Sequence, residues 1–313
     1  LHLLSRRQRQ MCIRDRYNIY RIISENKSVF LCRKIFQTQK LHERRFINNM
    51  DITNEKIDNG KAFDWGRVST EYAKYRDIYP NEFYDKIISL GLCTKGQKVL
   101  DVGTGTGVLP RHLYEYGADF VSADISENQI EAAKILAKEN KQNIQFIVSP
   151  AEDIDFPQDS FDVITACQCF FYFHYETVIP NFAKMLKKGG KLAVLYMEWL
   201  PFEDKIAKAS EDLVLKYNPK WNGAGETRHP IILPEFVDKY FDTIHSEEFD
   251  LDVPFTRESW NGRMKACRGT GASLSEEELV KWENEHKKLL EEIADESFTI
   301  KHYAAIKVLQ VKK

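Results

Sequence analysis

The stretch VLDVGTGTG, from Val99 to Gly107, decides the fold of this 313-residue chain. Its first four residues predict a buried strand, and three glycines that alternate with threonine follow at once. A glycine-rich turn between a strand and a helix lets a ligand lie against bare backbone. Asp124 ends the next predicted strand, where a carboxylate can accept hydrogen bonds from both hydroxyls of a ribose. The stretch therefore predicts a nucleoside site beside a parallel sheet.

Short apolar runs alternate with stretches of helical period after Met50, which is typical of an α/β protein with helices on both faces of its sheet. A helix with Val178 and Phe182 on its buried face is expected to stop at Gly189 and Gly190. Beyond Met197 we expect a mostly helical insert, a strand, a second helical insert from 257 to 297, and a last strand. The predicted strands are Lys98–Val102, Phe120–Ala123, Ile144–Val148, Phe161–Cys167, Lys191–Met197, Ser246–Val253 and His302–Val311.

Composition excludes several classes of protein. Lys and Arg number 45 and Asp and Glu 47, so the net charge is -2 and the chain is not basic overall. With 43% hydrophobic residues it can bury a full core, unlike a disordered chain. No apolar run reaches the roughly 18 residues of a membrane span. The six cysteines lack zinc spacing and are too few for a disulfide scaffold, which favours a reducing, cytoplasmic location.

Positive charge is concentrated at the start of the chain. Residues 1–49 carry a net charge of +9, which leaves -11 for residues 50–313. The string RRQRQMCIRDR, from Arg6 to Arg16, resembles translated sequencing-adapter read-through, and MDITNEKIDNG at Met50 has the form of a natural start. A transit peptide and a nucleic-acid arm are the alternatives for such a leader. We expect residues 1–49 to be a non-native or disordered leader, and residues 50–313 to form a single domain.

The glycine spacing separates two kinds of nucleotide site. The dinucleotide fingerprint needs a third small residue at position 108, where the helix approaches a pyrophosphate, and this chain has Val108. GxGxG in place of GxGxxG therefore argues against NAD or FAD. An NAD(P)-dependent oxidoreductase remains the alternative, and it should have a strictly parallel sheet.

Four blocks of the sequence resemble class I S-adenosylmethionine-dependent methyltransferases, in particular the small-molecule branch of the methyltransferase 11 type. They are VLDVGTGTG at Val99–Gly107, ADIS at Ala123–Ser126, AEDIDFPQDSFDVITA at Ala151–Ala166 and LKKGGKLAVLYM at Leu186–Met197. The blocks have the family's order and spacing, whereas GxGxG alone would be a weak signal. The resemblance implies a Rossmann-like fold, with a seven-stranded, mostly parallel sheet and an antiparallel last strand. It also implies lid helices at about 60–90, a core at about 95–198, and helical cap inserts at about 199–245 and 257–298.

The resemblance also implies which residues hold S-adenosyl-L-methionine, with S-adenosyl-L-homocysteine as the product. Asp124 would hold the ribose, Ile125 would pack on the adenine, and Tyr75 with Arg76 would bind the methionine end. Pro150 stands where the family often has Asp, so the group that reads adenine N6 stays open. The other positions implied to bind this cofactor are Asp101, Gly103, Thr104, Gly105, Thr106, Gly107, Ala151, Glu152 and Cys167.

Methyl transfer from a sulfonium depends mainly on alignment of the acceptor, because the leaving group takes no proton. A base is needed only for an acceptor that carries a proton, and a carboxylate acceptor needs none. His174, just beyond the fourth strand, is the candidate catalytic base, with a structural or surface histidine as the alternative. Tyr172, Glu198 and Trp199 are candidates for the acceptor site, with rim packing as the alternative.

The window FTRESWNGRMKACRGTGAS, which starts at Phe255, resembles a segment of methyltransferases of the trans-aconitate type, whose acceptors carry carboxylates. This resemblance implies substrate binding by Arg257, Trp260 and Arg263. The alternative is that these charges solvate a helix face or pair with the acidic stretch 276–278. Three cysteines, Cys167, Cys169 and Cys267, raise a thiol or metal site, but their spacing matches no zinc pattern and we expect no metal.

The expected partner is a small-molecule methyl acceptor, since the negative charge of residues 50–313 argues against nucleic acid. We expect no membrane contact and a cytoplasmic monomer or homodimer. A protein that binds S-adenosylmethionine without transferring its methyl group is a third interpretation, because catalysis by positioning leaves no indispensable catalytic motif.

Overall fold

The computed structural model describes residues 57–61, 74–75 and 78–313. These residues fall within one compact unit, residues 51–313. The expected leader at residues 1–49 and the predicted cofactor residue Arg76 lie outside the described residues, so both remain predictions. Within the described part of the chain, no helix has both the length and the apolar character that a membrane crossing requires.

Seven strands form one mixed sheet. They are β1 Lys98–Val102, β2 Asp119–Asp124, β3 Gln145–Val148, β4 Phe161–Cys167, β5 Leu186–Trp199, β6 Phe241–Thr256 and β7 Ser297–Val311. Their order is β3-β2-β1-β4-β5-β7-β6. The first five strands pair in parallel, and β7 runs antiparallel to both β5 and β6. The predicted antiparallel last strand is confirmed, which excludes a strictly parallel sheet.

Helices cover both faces of this sheet. Neighbouring residues of a strand point to opposite faces, so Val99 packs in one apolar cluster with Phe83, and Leu100 packs in another with Phe182. The α-helices of the described residues are α1 Asn81–Ser89, α2 Val108–Leu113, α3 Glu127–Glu139, α4 Tyr175–Met185, α5 Lys205–Tyr217, α6 Arg257–Lys265 and α7 Glu276–Ile293. The predicted Rossmann-like architecture is thereby confirmed.

The helices of the second insert start at capping boxes. The Thr256 side chain accepts the Ser259 backbone N–H at the start of α6, and Ser275 does the same with Glu278 at the start of α7. Such reciprocal caps satisfy N–H groups that have no partner inside the helix. The prediction of a helical second insert is confirmed.

Two predictions about the connections are wrong. Helix α4 ends at Met185 and not at Gly189, because the Ser160 N–H binds the Met185 carbonyl and Leu186 already pairs with Phe161 on β4. The first insert is less helical than predicted. After α5 it is irregular as far as Pro234, and its turn dipeptides Asn222-Gly223 and His229-Pro230 break any longer helix.

Candidate functional site

The glycine-rich turn after β1 needs glycine for two reasons. Gly103, Gly105 and Gly107 have φ of 67°, 56° and 73°, a left-handed region that disfavours other residues. A Cβ added at Gly103 would lie 2.6 Å from the Sγ of Cys169. The Thr104 N–H binds the Ala123 carbonyl at 2.9 Å and fixes the turn to β2. The turn therefore exposes backbone that a side chain at position 103 would cover.

The carboxylate of Asp124 is held in place beside this turn. Its Oδ2 accepts the Gly105 N–H at 2.8 Å, and its Oδ1 accepts the Ser126 N–H at 2.9 Å. Burial raises the pKa of Asp124. Asp101 lies deeper, is 1% exposed and accepts the Thr165 hydroxyl at 2.6 Å. Of these two carboxylates, Asp124 lines the cavity described next, whereas Asp101 is buried beneath the glycine-rich turn.

A cavity of about 640 Å³ opens above the carboxyl edge of the sheet. We call its wall at the ends of β1–β4 the turn half, formed by Gly103, Gly105, Asp124, Ile125, Ala151, Glu152 and Cys167. We call its wall from β5 and the inserts the cap half, formed by Tyr196, Glu198, Trp199, Asn222, Glu226, His229, Arg263 and Arg268. Tyr172 and His174 also line the cavity. The structure thus brings seven predicted cofactor residues and five predicted acceptor or catalytic residues to one space.

Some turn-half side chains already have partners. One Glu152 carboxylate oxygen accepts the His174 backbone N–H at 2.9 Å, so it caps α4. The Cys167 thiol lies 3.5 Å from the Tyr79 hydroxyl. Ile125 is 43% exposed, which is unusual for a large apolar residue and leaves it free to pack on a flat ligand.

Several predicted cofactor residues lie away from the cavity wall. Thr104, Thr106 and Gly107 are buried within the turn and shape it from inside. Tyr75 packs its ring against Gly262 of α6, and its hydroxyl donates to Glu258 at 3.0 Å. The structure therefore does not bring Tyr75 to the cavity, because this contact with the second insert holds it elsewhere.

Arg263 is a buried cation in the cap half. It is 1% exposed, its guanidinium lies 4.8 Å over the Trp199 ring, and its Nη1 donates to the Cys267 thiol at 2.9 Å. The nearest carboxylate contact is long, with Nη2 3.5 Å from Glu198. Its Nε is buried and has no hydrogen-bond partner among the described residues. Within the part of the chain that the structure describes, this cation is thus only partly neutralised.

A second arginine connects the cap half to the segment before the sheet. The Nη1 of Arg268 lies 3.2 Å from the fully buried carboxylate of Asp58, and its Nη2 donates to the Asn222 side chain at 3.1 Å. Asp58 Oδ1 also accepts the Asn222 backbone N–H at 2.9 Å. Ile57 packs beside it on Ala272. The segment 57–61 is therefore fastened to both inserts at the cavity wall.

A polar cluster around Glu226 was not predicted from the sequence. Its Oε1 lies 2.8 Å from His229 Nε2 and accepts the Tyr303 hydroxyl at 2.6 Å. Glu226 and His229 are near neighbours in an irregular loop, while Tyr303 belongs to β7. The only available signal was the strand pairing that sets Tyr303 opposite Glu198, and this says nothing about the loop.

Two predicted acceptor residues lie outside the cavity wall. The Arg257 guanidinium donates to the Ala294 carbonyl through Nε and Nη2 at 3.0 and 2.6 Å. Trp260 is fully buried, and its Nε1 donates to the Ser210 hydroxyl at 2.9 Å. Arg257 therefore ties α6 to the end of α7, and Trp260 is a core residue.

The described cysteines Cys167, Cys169 and Cys267 do not form a recognisable metal centre. Cys169 Sγ donates to the Val102 carbonyl at 3.0 Å, and Cys267 bonds to Arg263. Among the described residues, no group of three or more His, Cys, Asp or Glu side chains could hold a metal ion.

The central part of this chain is similar to a known protein family. Residues 100–194 match the methyltransferase domain family Methyltransf_11. The ubiquinone biosynthesis O-methyltransferase of Bradyrhizobium diazoefficiens is 29% identical over 172 residues, which are 53% of this chain and 64% of that protein. The protein of the same name from Coxiella burnetii is 34% identical over 132 residues, 42% of this chain and 56% of that protein.

The chain thus spans between about half and two thirds of the length of these curated relatives. Among solved structures, the YcgJ protein of Bacillus subtilis has a TM-score of 0.45 and 20% identity, covering 75% of this chain and 99% of that one. Residues 100–194 are therefore similar to a methyltransferase domain, and the strand order and the turn at Gly103 agree with the Rossmann-like fold predicted above.

Proposed function

We propose that this protein transfers a methyl group from S-adenosylmethionine to a small-molecule acceptor. The observation that carries the proposal is the single cavity in which the turn half meets a cap half rich in polar side chains. S-adenosylmethionine, when bound, supplies an electrophilic methyl group on a sulfonium. The two walls then provide one site for a donor and one for an acceptor, as positioning catalysis requires.

The turn half fits the proposed donor. The Asp124 carboxylate accepts the backbone N–H groups of Gly105, Ile125 and Ser126 and retains a lone pair, with which it can also accept a ribose hydroxyl. Gly103 leaves the backbone uncovered where the methionine end would lie, and Ile125 offers an exposed apolar surface to the adenine. Because Glu152 is already bonded to α4, we assign adenine recognition to backbone groups near Ala151 as well as to Glu152.

The cap half fits a polar acceptor. Arg263 has a buried Nε without a partner in the described residues and only a long contact to Glu198, so an anionic or polar group of the acceptor would complete its pairing. Trp199 supports the guanidinium from one side. The curated relatives named above are O-methyltransferases, which favours oxygen as the methylated atom.

Calorimetry tests the donor half of this proposal. We expect S-adenosylhomocysteine to bind the purified full chain and NAD to give no heat. Incubation with tritium-labelled methyl donor and a low-mass cell extract then tests transfer, and we expect label in an extractable metabolite. Binding of NAD alone would favour the oxidoreductase alternative, whereas donor binding without transfer would favour a silent binding protein.

A further inference from the structure

Three side chains of β5 and β7 project from the same face of the sheet beside the cavity. Tyr196 and Glu198 alternate with Met197 on β5, and Tyr303 of β7 pairs with Glu198 across the two strands. Glu226 reaches the same place from the irregular loop after α5, because its Oε1 accepts the Tyr303 hydroxyl at 2.6 Å. The cap half therefore brings two carboxylates together beside two tyrosine rings.

One oxygen of Glu226 has no protein partner within the described part of the chain. Tyr303 and His229 both face Oε1, at 2.6 and 2.8 Å, and no described residue donates a hydrogen bond to Oε2. No described lysine or arginine forms an ion pair with this carboxylate either. The Glu226 side chain is 18% exposed and lines the cavity. Glu226 can therefore accept a hydrogen bond from a positively charged ligand.

The Tyr196 hydroxyl is a second group without a protein partner. It forms no hydrogen bond with any described residue, although Tyr196 is half-buried and lines the cavity. Burial raises the pKa of Tyr196, and the nearby charges of Glu198 and Glu226 raise it further. The hydroxyl oxygen is therefore uncharged, lies close to both carboxylates and has lone pairs for a donor on a ligand.

Aromatic rings surround these oxygens. The Tyr196 ring contacts those of Phe171 and Tyr303, with centroid distances of 6.2 and 6.1 Å. Phe171 is 47% exposed and lines the cavity together with Tyr172, and the centroids of these two rings are 4.3 Å apart. The faces of aromatic rings attract cations, most strongly where water is excluded. The rings thus favour the same sign of charge as the carboxylates do.

The charges of this wall fit an organic cation. Glu198 and Glu226 supply two negative charges, and Arg263, 3.5 Å from Glu198, balances one of them. The charge of Arg268 is already paired with Asp58. Among the described residues, no group of His, Cys, Asp and Glu side chains has the arrangement of a metal site. An ammonium group is therefore the ligand that this wall would complement.

We propose that Glu226, Glu198 and Tyr196 bind a protonated amine of the methyl acceptor. This inference rests on the proposed methyl transfer and names the class of acceptor. A primary ammonium has three N–H donors, one for each of these side chains. Because a protonated nitrogen has no lone pair, the amine serves for recognition, and another atom of the acceptor, such as a hydroxyl oxygen, receives the methyl group. Glu226 and Tyr196 are thus specificity-determining residues.

Two probes of similar shape test the inference by calorimetry on the full chain with S-adenosylhomocysteine bound. Tyramine carries an ammonium group, and 4-propylphenol has a methyl group in its place. We expect the wild-type protein to bind tyramine about tenfold more tightly than 4-propylphenol. Glu226→Gln should remove most of this preference and leave the affinity for 4-propylphenol within twofold, because the amide keeps the size of the side chain but not its charge.

Glu247→Gln is the matched control, since Glu247 pairs with Lys86 outside the cavity wall. It should keep the wild-type preference, and Tyr196→Phe should lower the affinity for tyramine alone. Equal affinities of the wild-type protein for both probes, or no binding of tyramine at millimolar concentration, would overturn the inference. So would a preference for tyramine that survives in Glu226→Gln. Binding of S-adenosylhomocysteine in the same samples separates these failures from failure of the proposed donor site.

The labelled product offers a second measurement that needs no variant. Product formed from the low-mass cell extract and tritium-labelled donor is first separated from unused donor. We expect it to be retained on a strong cation-exchange resin at about pH 3, where carboxylates are largely protonated and amines are positive. A labelled product that passes through the resin would overturn the inference and leave the proposed methyl transfer intact. A complete lack of labelled product would overturn the proposed function itself, and this inference with it.

Discussion

The two halves of the cavity are built in different ways. The turn half uses the backbone of one loop and the ends of adjacent strands, and its ligand contacts depend on where glycine occurs. The cap half uses side chains from distant parts of the chain, and it is held by Asp58, which accepts the backbone N–H of Asn222 from 164 positions away. A backbone site suits a ligand shared by a whole family, whereas side-chain contacts can change with each acceptor. We therefore expect substitutions in the two halves to have separable effects.

The largest effect is expected for Arg268→Gln in the cap half. It leaves the fully buried Asp58 carboxylate without its cation, so we expect the free energy of unfolding in urea to fall by about 3–5 kcal/mol. The double variant with Asp58→Asn should lose less than this single one. Arg228→Gln, which breaks more exposed pairs with Glu203 and Asp250, should cost about 1 kcal/mol or less.

The affinity of folded Arg268→Gln protein for S-adenosylhomocysteine should stay within twofold of the wild-type value. A large loss of affinity there would mean that the two halves do not act separately.

The next effect is expected for Gly103→Ala in the turn half. The added Cβ would lie 2.6 Å from Cys169 Sγ on a backbone with φ of +67°. Strain and overpacking together should weaken binding of S-adenosylhomocysteine by about 3 kcal/mol, or about 100-fold, in calorimetry. Adding Cys169→Gly should restore part of the affinity, because it removes the clashing atoms but not the backbone strain.

Gly96→Ala is the matched control for this substitution. Gly96 also has a positive φ, of +86°, but a Cβ there would meet nothing within 4 Å. We expect a similar backbone cost in stability and no change in affinity. Wild-type affinity in Gly103→Ala would show that the ligand does not lie against this turn.

A smaller effect is expected for Asp124→Asn. The amide keeps the size of the carboxylate but loses its charge and one acceptor, so the ribose and the Gly105 N–H compete for fewer lone pairs. We expect affinity for S-adenosylhomocysteine to fall by about 2 kcal/mol, or about 30-fold. Asp119→Asn, at the exposed start of the same strand, should bind like the wild type.

The sequence predicted the turn half far better than the cap half. Gly103 directly follows β1 and Asp124 ends β2, and the apolar runs of both strands can be recognised in the sequence. Their positions relative to these strands therefore indicate that the two residues lie close together. Arg263 was also identified, because it follows a local motif.

The contacts of Glu226 and of Asp58 could not be predicted in this way. They depend on how an irregular loop and a segment before the sheet fold over β5 and β7, and no periodicity describes such packing. The same limit explains why Arg257 and Trp260 were predicted to bind the acceptor although neither lines the cavity. A sequence window shows that residues are near one another along the chain, but not which side of α6 they occupy.

The smallest effect concerns the pH dependence of stability. Glu211 is 1% exposed and accepts the Nε1–H of Trp199, the ring that supports Arg263. Burial raises the pKa of Glu211 from 4.5 to about 7, so between these values the folded protein holds a proton that the unfolded chain has lost. Stability should therefore fall as pH rises through this range, and Glu211→Gln should flatten that slope by up to about 1.4 kcal/mol per pH unit.

Asp101 gives the corresponding test for the turn half. Burial raises the pKa of Asp101 from 3.8 to about 6. Asp101→Asn should therefore reduce the pH dependence of the unfolding free energy only below about pH 6. Urea unfolding between pH 6 and 7 therefore distinguishes the halves, because in that interval the slope should change in Glu211→Gln and not in Asp101→Asn. Equal slopes in the two variants between pH 6 and 7 would mean that Glu211 is already ionised in the folded protein. The group that accepts the Trp199 Nε1–H would then be a carboxylate and not a neutral carboxyl group.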